Sequence, residues 1–258
     1  DGWAAEMTRG LVDSVLGPGR KRLGDLVVFT TFDAAAQQVA DRVGRRRGRM
    51  RGPEMGLVAL DPGTGQLRAV DGGGGLLPGG FNGAVAAHPQ AGSAFKPFVY
   101  LAALEAGLTP ATLVDDEPVE IEESGKLWRP ANAGDEYLGP VTLRRALARS
   151  ANAATVRVSQ AVGPSSVVQV ARRMGISSPL KAVPSVGLGS FEVTPLELAA
   201  AYAPFANGGF AVQPSFVIRT EDRHGKLLWE ARPPEPVQAI DPQDAFLLNS
   251  MLQSAVDE

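Results

Sequence analysis

Cysteine is absent from this sequence, which removes disulfides, thiolate nucleophiles and cysteine-ligated metals from its chemistry. Histidine is nearly absent too: the chain has two, His88 and His224, in Pro- or Gly-flanked segments rather than in a helical His-x-x-x-His pair suited to zinc. No metal and no organic cofactor is expected. No apolar run reaches the roughly 18 to 20 residues that cross a bilayer, and Asp-Gly-Trp-Ala-Ala-Glu is not a signal peptide. The chain opens without Met, as a piece of a longer protein would. Net charge is −3, which argues against a general nucleic-acid partner. The glycine-rich stretch Gly72 to Gly83 is followed by no Gly-Lys-Ser/Thr and contains no dinucleotide fingerprint, so it reads as a loop. What is there, 258 residues with 44% apolar and 21% charged, suits one large catalytic domain with a small appendage.

Periodicity supplies the elements. Met7, Leu11, Val12, Val15 and Leu16 form one helical face that stops at Gly17-Pro18-Gly19. A strand is expected from Leu26 to Thr31, then a helix capped by Asp33. The basic run Arg45 to Arg51 ends in Gly52-Pro53 and reads as a solvated linker, which puts a boundary there: residues 1–53 as a linker or pedestal region, 54–258 as the catalytic domain. Met55 to Leu60 and Gln66 to Val70 flank Asp61-Pro62-Gly63-Thr64-Gly65, a hairpin signal. From Ser93 onward helices dominate, at 94–106, 143–149, 152–162 and 165–174. Another opens on the capping box Thr194-Pro195-Leu196-Glu197, and a last one spans Pro242 to Val256. A second hairpin turns at His224-Gly225. Strands at both ends of a helical block make the fold class α+β.

Without cysteine, the question is which nucleophile could be activated, and a serine at its free pKa needs a base within hydrogen-bond reach. Lysine is the available base. Two Ser-x-x-Lys pairs occur, Ser93 with Lys96 and Ser178 with Lys181. The second lies in a short broken stretch between Gly175 and Pro184 and reads as a loop. The first opens an apolar helix, Phe95 to Leu104, with Pro97 near its first turn, so Ser93 is expected at a helix N-terminus where developing negative charge is favoured. Ser150-Ala151-Asn152 is the one Ser-x-Asn in the sequence and falls in a break between two helices. A serine at either place also serves as a helix cap, and only the combination points to chemistry.

The sequence resembles the transpeptidase domain of bifunctional (class A) penicillin-binding proteins. The resemblance rests on Gly92-Ser93-Ala94-Phe95-Lys96-Pro97-Phe98-Val99-Tyr100, on Trp128-Arg129-Pro130-Ala131-Asn132, on Gly139 through Asn152, and on Glu192 through Tyr202 with Asn207-Gly208-Gly209. Thr30-Thr31-Phe32-Asp33 with Gln37-Gln38 resembles the linker that precedes the domain in these synthases. The resemblance implies a penicillin-binding/serine β-lactamase-like fold and a D,D-transpeptidase that crosslinks peptidoglycan stem peptides through an acyl-serine and is acylated by β-lactams. Ser93 would be the nucleophile, Lys96 the base, Ser150 a proton relay and Asn152 a substrate-binding residue. The family's third motif, Lys-Thr-Gly or Lys-Ser-Gly, does not occur in the chain. C-terminal strands carrying it are expected to lie beyond Glu258, and the chain alone is expected to acylate poorly. The resemblance also implies a membrane-anchored parent with an upstream glycosyltransferase domain on the periplasmic face of the bacterial inner membrane, and wall-synthesis proteins as partners. A serine β-lactamase or D,D-carboxypeptidase, which pass the acyl group to water, and a catalytically silent penicillin-binding scaffold are the alternatives.

Overall fold

The computed structural model describes residues 2–16, 26–48, 56–73, 82–123 and 125–257. In chain order it begins with α1 (Trp3–Leu16), β1 (Leu26–Thr30), α2 (Ala34–Gly48), β2 (Leu57–Leu60) and β3 (Leu67–Asp71). Helix α3 (Lys96–Glu105) is followed by β4 (Leu113–Asp116), β5 (Ile121–Glu123), β6 (Lys126–Trp128) and β7 (Gly139–Thr142). Then come α4 (Leu143–Ala148), α5 (Asn152–Val162), α6 (Pro164–Arg173) and α7 (Pro195–Ala206). The remainder is β8 (Phe210–Ala211), β9 (Val217–Asp222), β10 (Leu227–Glu230), β11 (Val237–Gln238) and α8 (Pro242–Asp257). The fold is α+β, with antiparallel ladders for β1 with β9, β10 with β9, β2 with β3, β4 with β7 and β5 with β6.

Packing divides the chain into two compact units. The first comprises Asp1–His88, Thr194–Ala203 and Val212–Val237, the second Pro89–Val193, Pro204–Ala211 and Gln238–Glu258. In the first, strand order is β1-β9-β10, and β9 turns into β10 where the Asp222 carboxylate accepts the N–H groups of His224 at 2.8 Å and Lys226 at 3.0 Å. The β2–β3 hairpin is closed the same way, by Asp61 accepting from Gly63 and Thr64. Helix α2 is fastened to β3 through the Gln37 carboxamide, which donates to Val70 O at 2.8 Å and accepts from Val70 N at 2.9 Å. Trp3, Val70 and Ala84 form the buried centre of this layer.

One expectation changes here, and another lies outside the described residues. Helix α2 runs to Gly48, so Arg45, Arg46 and Arg47 sit on a helix rather than in a linker: arginine is a good helix former, and nothing in its charge ends a helix. The expected boundary at residue 53, with Arg49 to Pro53, lies outside the described residues, as do Gly17-Pro18-Gly19 and most of the glycine-rich stretch.

The second unit is built around α3, whose residues from Lys96 to Leu104 are all buried. A helix apolar on every side belongs inside a core. Phe98 packs on Phe95 at 5.0 Å and on Phe205 at 5.9 Å between ring centroids. Helices α4, α5, α6 and α8 surround it, and Arg144 of α4 ties to α8 by donating to Ser250 O at 2.6 Å. Strands β4 to β7 fall between the expected helices 94–106 and 143–149, a stretch with no expected element. Each spans three or four residues, too short for alternation to show, and β4 finds its partner β7 more than twenty residues away.

Candidate active site

Ser93 lies on a 3₁₀ turn, Gly92–Phe95, that leads into α3, rather than on the α-helix itself. Pro97 explains the difference. An α-helix would need the N–H of residue 97 to reach Ser93 O, and proline has none. The Lys96 N–H bonds Ser93 O instead, closing a turn of three residues. Residues three apart eclipse in that geometry, so Ser93 and Lys96 are stacked on one side. The Ser93 side chain is exposed, while Lys96 is 1% exposed.

A backbone ladder holds this turn in place. Val193 N donates to Pro89 O, Ala91 N to Phe191 O and Gly92 N to Gly189 O, at 3.0, 3.2 and 3.1 Å. At the tightest point Gly189 has φ +68°, and a Cβ there would lie 2.2 Å from Gly92 O. Only glycine fits, a requirement that the sequence reading missed because Gly189 is almost one hundred residues from its partner.

Ser150 ends α4. Its N–H bonds Leu147 O and that of Ala151 bonds Ala146 O, both at 2.9 Å, the paired bonds of a Schellman cap. That cap needs a left-handed residue, usually glycine, yet Ser150 occupies it with φ +52°. A serine there carries backbone strain that a glycine would not. Asn152 then opens α5.

The Lys96 amine reaches this turn. It donates to Ser150 O at 2.5 Å, Ser150 Oγ at 2.9 Å and Asn152 Oδ1 at 2.7 Å. Burial brings its pKa down to about 8, and the Asp116 carboxylate opposes the fall. Two of the three acceptors, a carbonyl and an amide oxygen, can only accept. A neutral amine would keep both with its two N–H groups and turn its lone pair to the Ser150 hydroxyl. Asn152 gives one amide N–H to Ala131 O at 2.7 Å.

Beneath this layer Tyr100, one turn beyond Lys96, meets Thr155 Oγ1 at 3.1 Å, and Thr155 Oγ1 donates to Ala151 O at 2.6 Å. Since the threonine proton is spent on Ala151, Tyr100 is the donor of the pair. Burial raises the Tyr100 pKa, keeping the hydroxyl in the donating form.

Ser93, Ser150, Asn152, Asn132, Glu136 and Arg149 line a recess of about 270 Å³. The four residues singled out by sequence thus meet at one place. Ser178 and Lys181 do not join them: Ser178 is buried, Lys181 exposed, and no helix connects them. His88 and His224 lie in exposed segments of the other unit. Asp116 and Asn132 also line the recess; Asn132 ends the block Trp128-Arg129-Pro130-Ala131-Asn132, and no motif spacing singles out Asp116.

With this geometry in view, comparisons with known proteins are specific. The family profile for the penicillin binding protein transpeptidase domain matches residues 55–258. Penicillin-binding protein 1A of Neisseria meningitidis is 41% identical over 208 residues, covering 78% of this chain and 26% of that protein. The chain therefore spans about a quarter of the length of the curated relatives it matches. Among solved structures, the PonA1 protein of Mycobacterium tuberculosis in complex with penicillin V aligns with a TM-score of 0.81 at 28% identity, covering 95% of this chain and 68% of that one. Penicillin-binding protein 1A of Haemophilus influenzae aligns with a TM-score of 0.74 at 32% identity, covering 78% and 35%.

Proposed function

Since the chain belongs to the penicillin-binding protein transpeptidase family, we propose that it serves a serine D,D-transpeptidase that crosslinks peptidoglycan stem peptides and is acylated by β-lactams. The observation that carries this reading is the buried Lys96 amine, hydrogen-bonded to Ser150 and Asn152 and stacked below Ser93. In the proposed reaction, Ser93 Oγ attacks the carbonyl carbon of the penultimate residue of a D-Ala-D-Ala stem. Its proton passes to the Lys96 amine, directly or through Ser150 Oγ. The Ser93 N–H donates to the developing oxyanion. As the C–N bond breaks, the departing D-alanine amine takes a proton back through Ser150. The acyl-serine is then attacked by an amine of a neighbouring strand, which yields the new amide and returns the proton to Ser93. Asn152, with one amide N–H beyond that given to Ala131, would hold the donor backbone.

The relative from N. meningitidis carries the name penicillin-binding protein 1A and the mycobacterial structure holds penicillin V, which supports β-lactams as ligands here. By the same resemblance the parent protein would work at the periplasmic face of the inner membrane, anchored there and joined to a glycosyltransferase domain, with wall-synthesis proteins as partners. Labelling the full-length parent protein with a fluorescent penicillin tests the reading. The expected result is a stable covalent adduct whose mass maps to the Ser93 peptide and which Ser93→Ala abolishes. An adduct on another residue, or one lost within a turnover as in a β-lactamase, would overturn it.

A further inference from the structure

Helix α5 begins with no cap of its own, because Ala151 at the N-cap offers no side-chain acceptor. Its orphan N–H groups are taken by residues far back in the chain. Asn132 Oδ1 accepts from Asn152 N at 2.7 Å and Ala153 N at 3.0 Å, and Asp116 Oδ1 accepts from Ala154 N at 3.3 Å. Asn132 Nδ2 in turn donates to both Asp116 oxygens at 2.9 Å and to Glu136 O at 3.0 Å. Leu138 N adds a bond to Asp116 Oδ2 at 3.1 Å. Asp116 is 0% exposed, and each of these partners donates to it. A carboxylate, which only accepts, is what such a nest suits. It also sits at the positive end of α5.

We infer that Asp116 and Asn132 are positioning residues of the site: together they cap α5 from outside, fix the Ser150-Ala151-Asn152 turn on which the Lys96 amine rests, and supply the buried counter-charge of that amine. The inference rests on the serine-acylation reading for its consequence, on hydrogen bonds for the cap, and on the placement of Asp116 at the recess and its field at Lys96 for the counter-charge. Strand pairing makes it rigid, since Asp116 is the last residue of β4 and lies opposite Gly139 of β7. An error of about 1 Å in the height of the turn would move Ser150 Oγ and Asn152 Oδ1 together, enough to cost on the order of 10²-fold in rate at a reacting centre. The charged and titratable groups around Lys96 are Asp116 on β4 and Tyr100 on its own helix, with Glu136 and Arg149 at the recess.

Asn132→Ala and Asp116→Asn test the assignment through two measurements on the full-length parent protein. Amide hydrogen exchange reads the cap whether or not the site acylates: protection at Asn152, Ala153 and Ala154 should fall in both variants and stay unchanged at α6. Acylation by fluorescent penicillin reads the consequence, and Asn132→Ala should slow it about 100-fold. In wild type the rate should rise with pH around 8 as the Lys96 amine loses its proton. In Asp116→Asn that limb should move to lower pH, because the charge that holds the proton is gone. A merely structural role would lower the plateau and leave the limb in place. Unchanged protection at 152–154, or an unmoved limb in Asp116→Asn, overturns the inference. A wild-type protein that takes no penicillin defeats the acylation reading instead, and exchange alone then decides the cap.

Discussion

At Lys96, burial strips water from an ammonium while three oxygens and a neighbouring carboxylate replace part of what is lost. The pKa of about 8 against the ordinary 10.5 states the remaining deficit. Between those values the unfolded chain binds more protons than the folded one, so stability attributable to this residue rises with pH through that window. Below about 8 the penalty is present in full. Lys96→Met has no proton to lose, so the stability difference between wild type and this variant should shift in favour of wild type by about 3 kcal/mol from pH 7 to pH 10.5. Urea unfolding at the two pH values measures it. The oxygens abandoned by the variant change the offset of the difference but not its slope, and a pH-independent difference would show that the amine is not held against its charge.

Between elements, the decisive contact is Gly189 on Gly92, where two glycine backbones, both at positive φ, exchange a hydrogen bond just before Ser93. Gly189→Ala would incur about 1 to 2 kcal/mol for a left-handed alanine, and its Cβ would also press on Gly92 O. Penicillin acylation of the full-length parent protein should fall well beyond what the loss of stability explains, since the 3₁₀ turn bearing Ser93 has to shift. A control at Gly208, also at positive φ (82°) but with nothing near its Cβ, should lose stability and keep acylation. Equal acylation by both variants would remove the ladder from any account of the site. Proline plays the complementary part: Pro97 fixes which turn precedes α3, and Gly189 fixes where that turn lies.

For the molecule as a whole, stability of the second unit depends on α3. Phe98 is 0% exposed between Phe95 and Phe205, and Phe98→Ala should cost about 3 to 5 kcal/mol. Val39, 54% exposed on α2 in the first unit, should tolerate alanine within about 0.5 kcal/mol. Denaturant midpoints at constant slope would establish the contrast. A small loss at Phe98 would mean that the aromatic cluster relaxes into the space left behind.

The sequence determined what is local. Ser93 and Lys96 share one turn, Ser150 to Asn152 span another, and Asp61, Asp222 and the Thr194–Glu197 box close their own turns and caps within four residues. Such pairings depend on short-range geometry that spacing alone encodes. Tertiary structure decided the rest. Strands β4 and β7 carry no periodic signal yet pair across more than twenty residues, and their pairing is what delivers Asp116. Asn132 caps a helix twenty residues away, and Gly189 matters only because Gly92 comes to lie on it. A side chain's partner at that separation is chosen by how the chain closes its loops around the core, and no pattern along the chain records that choice.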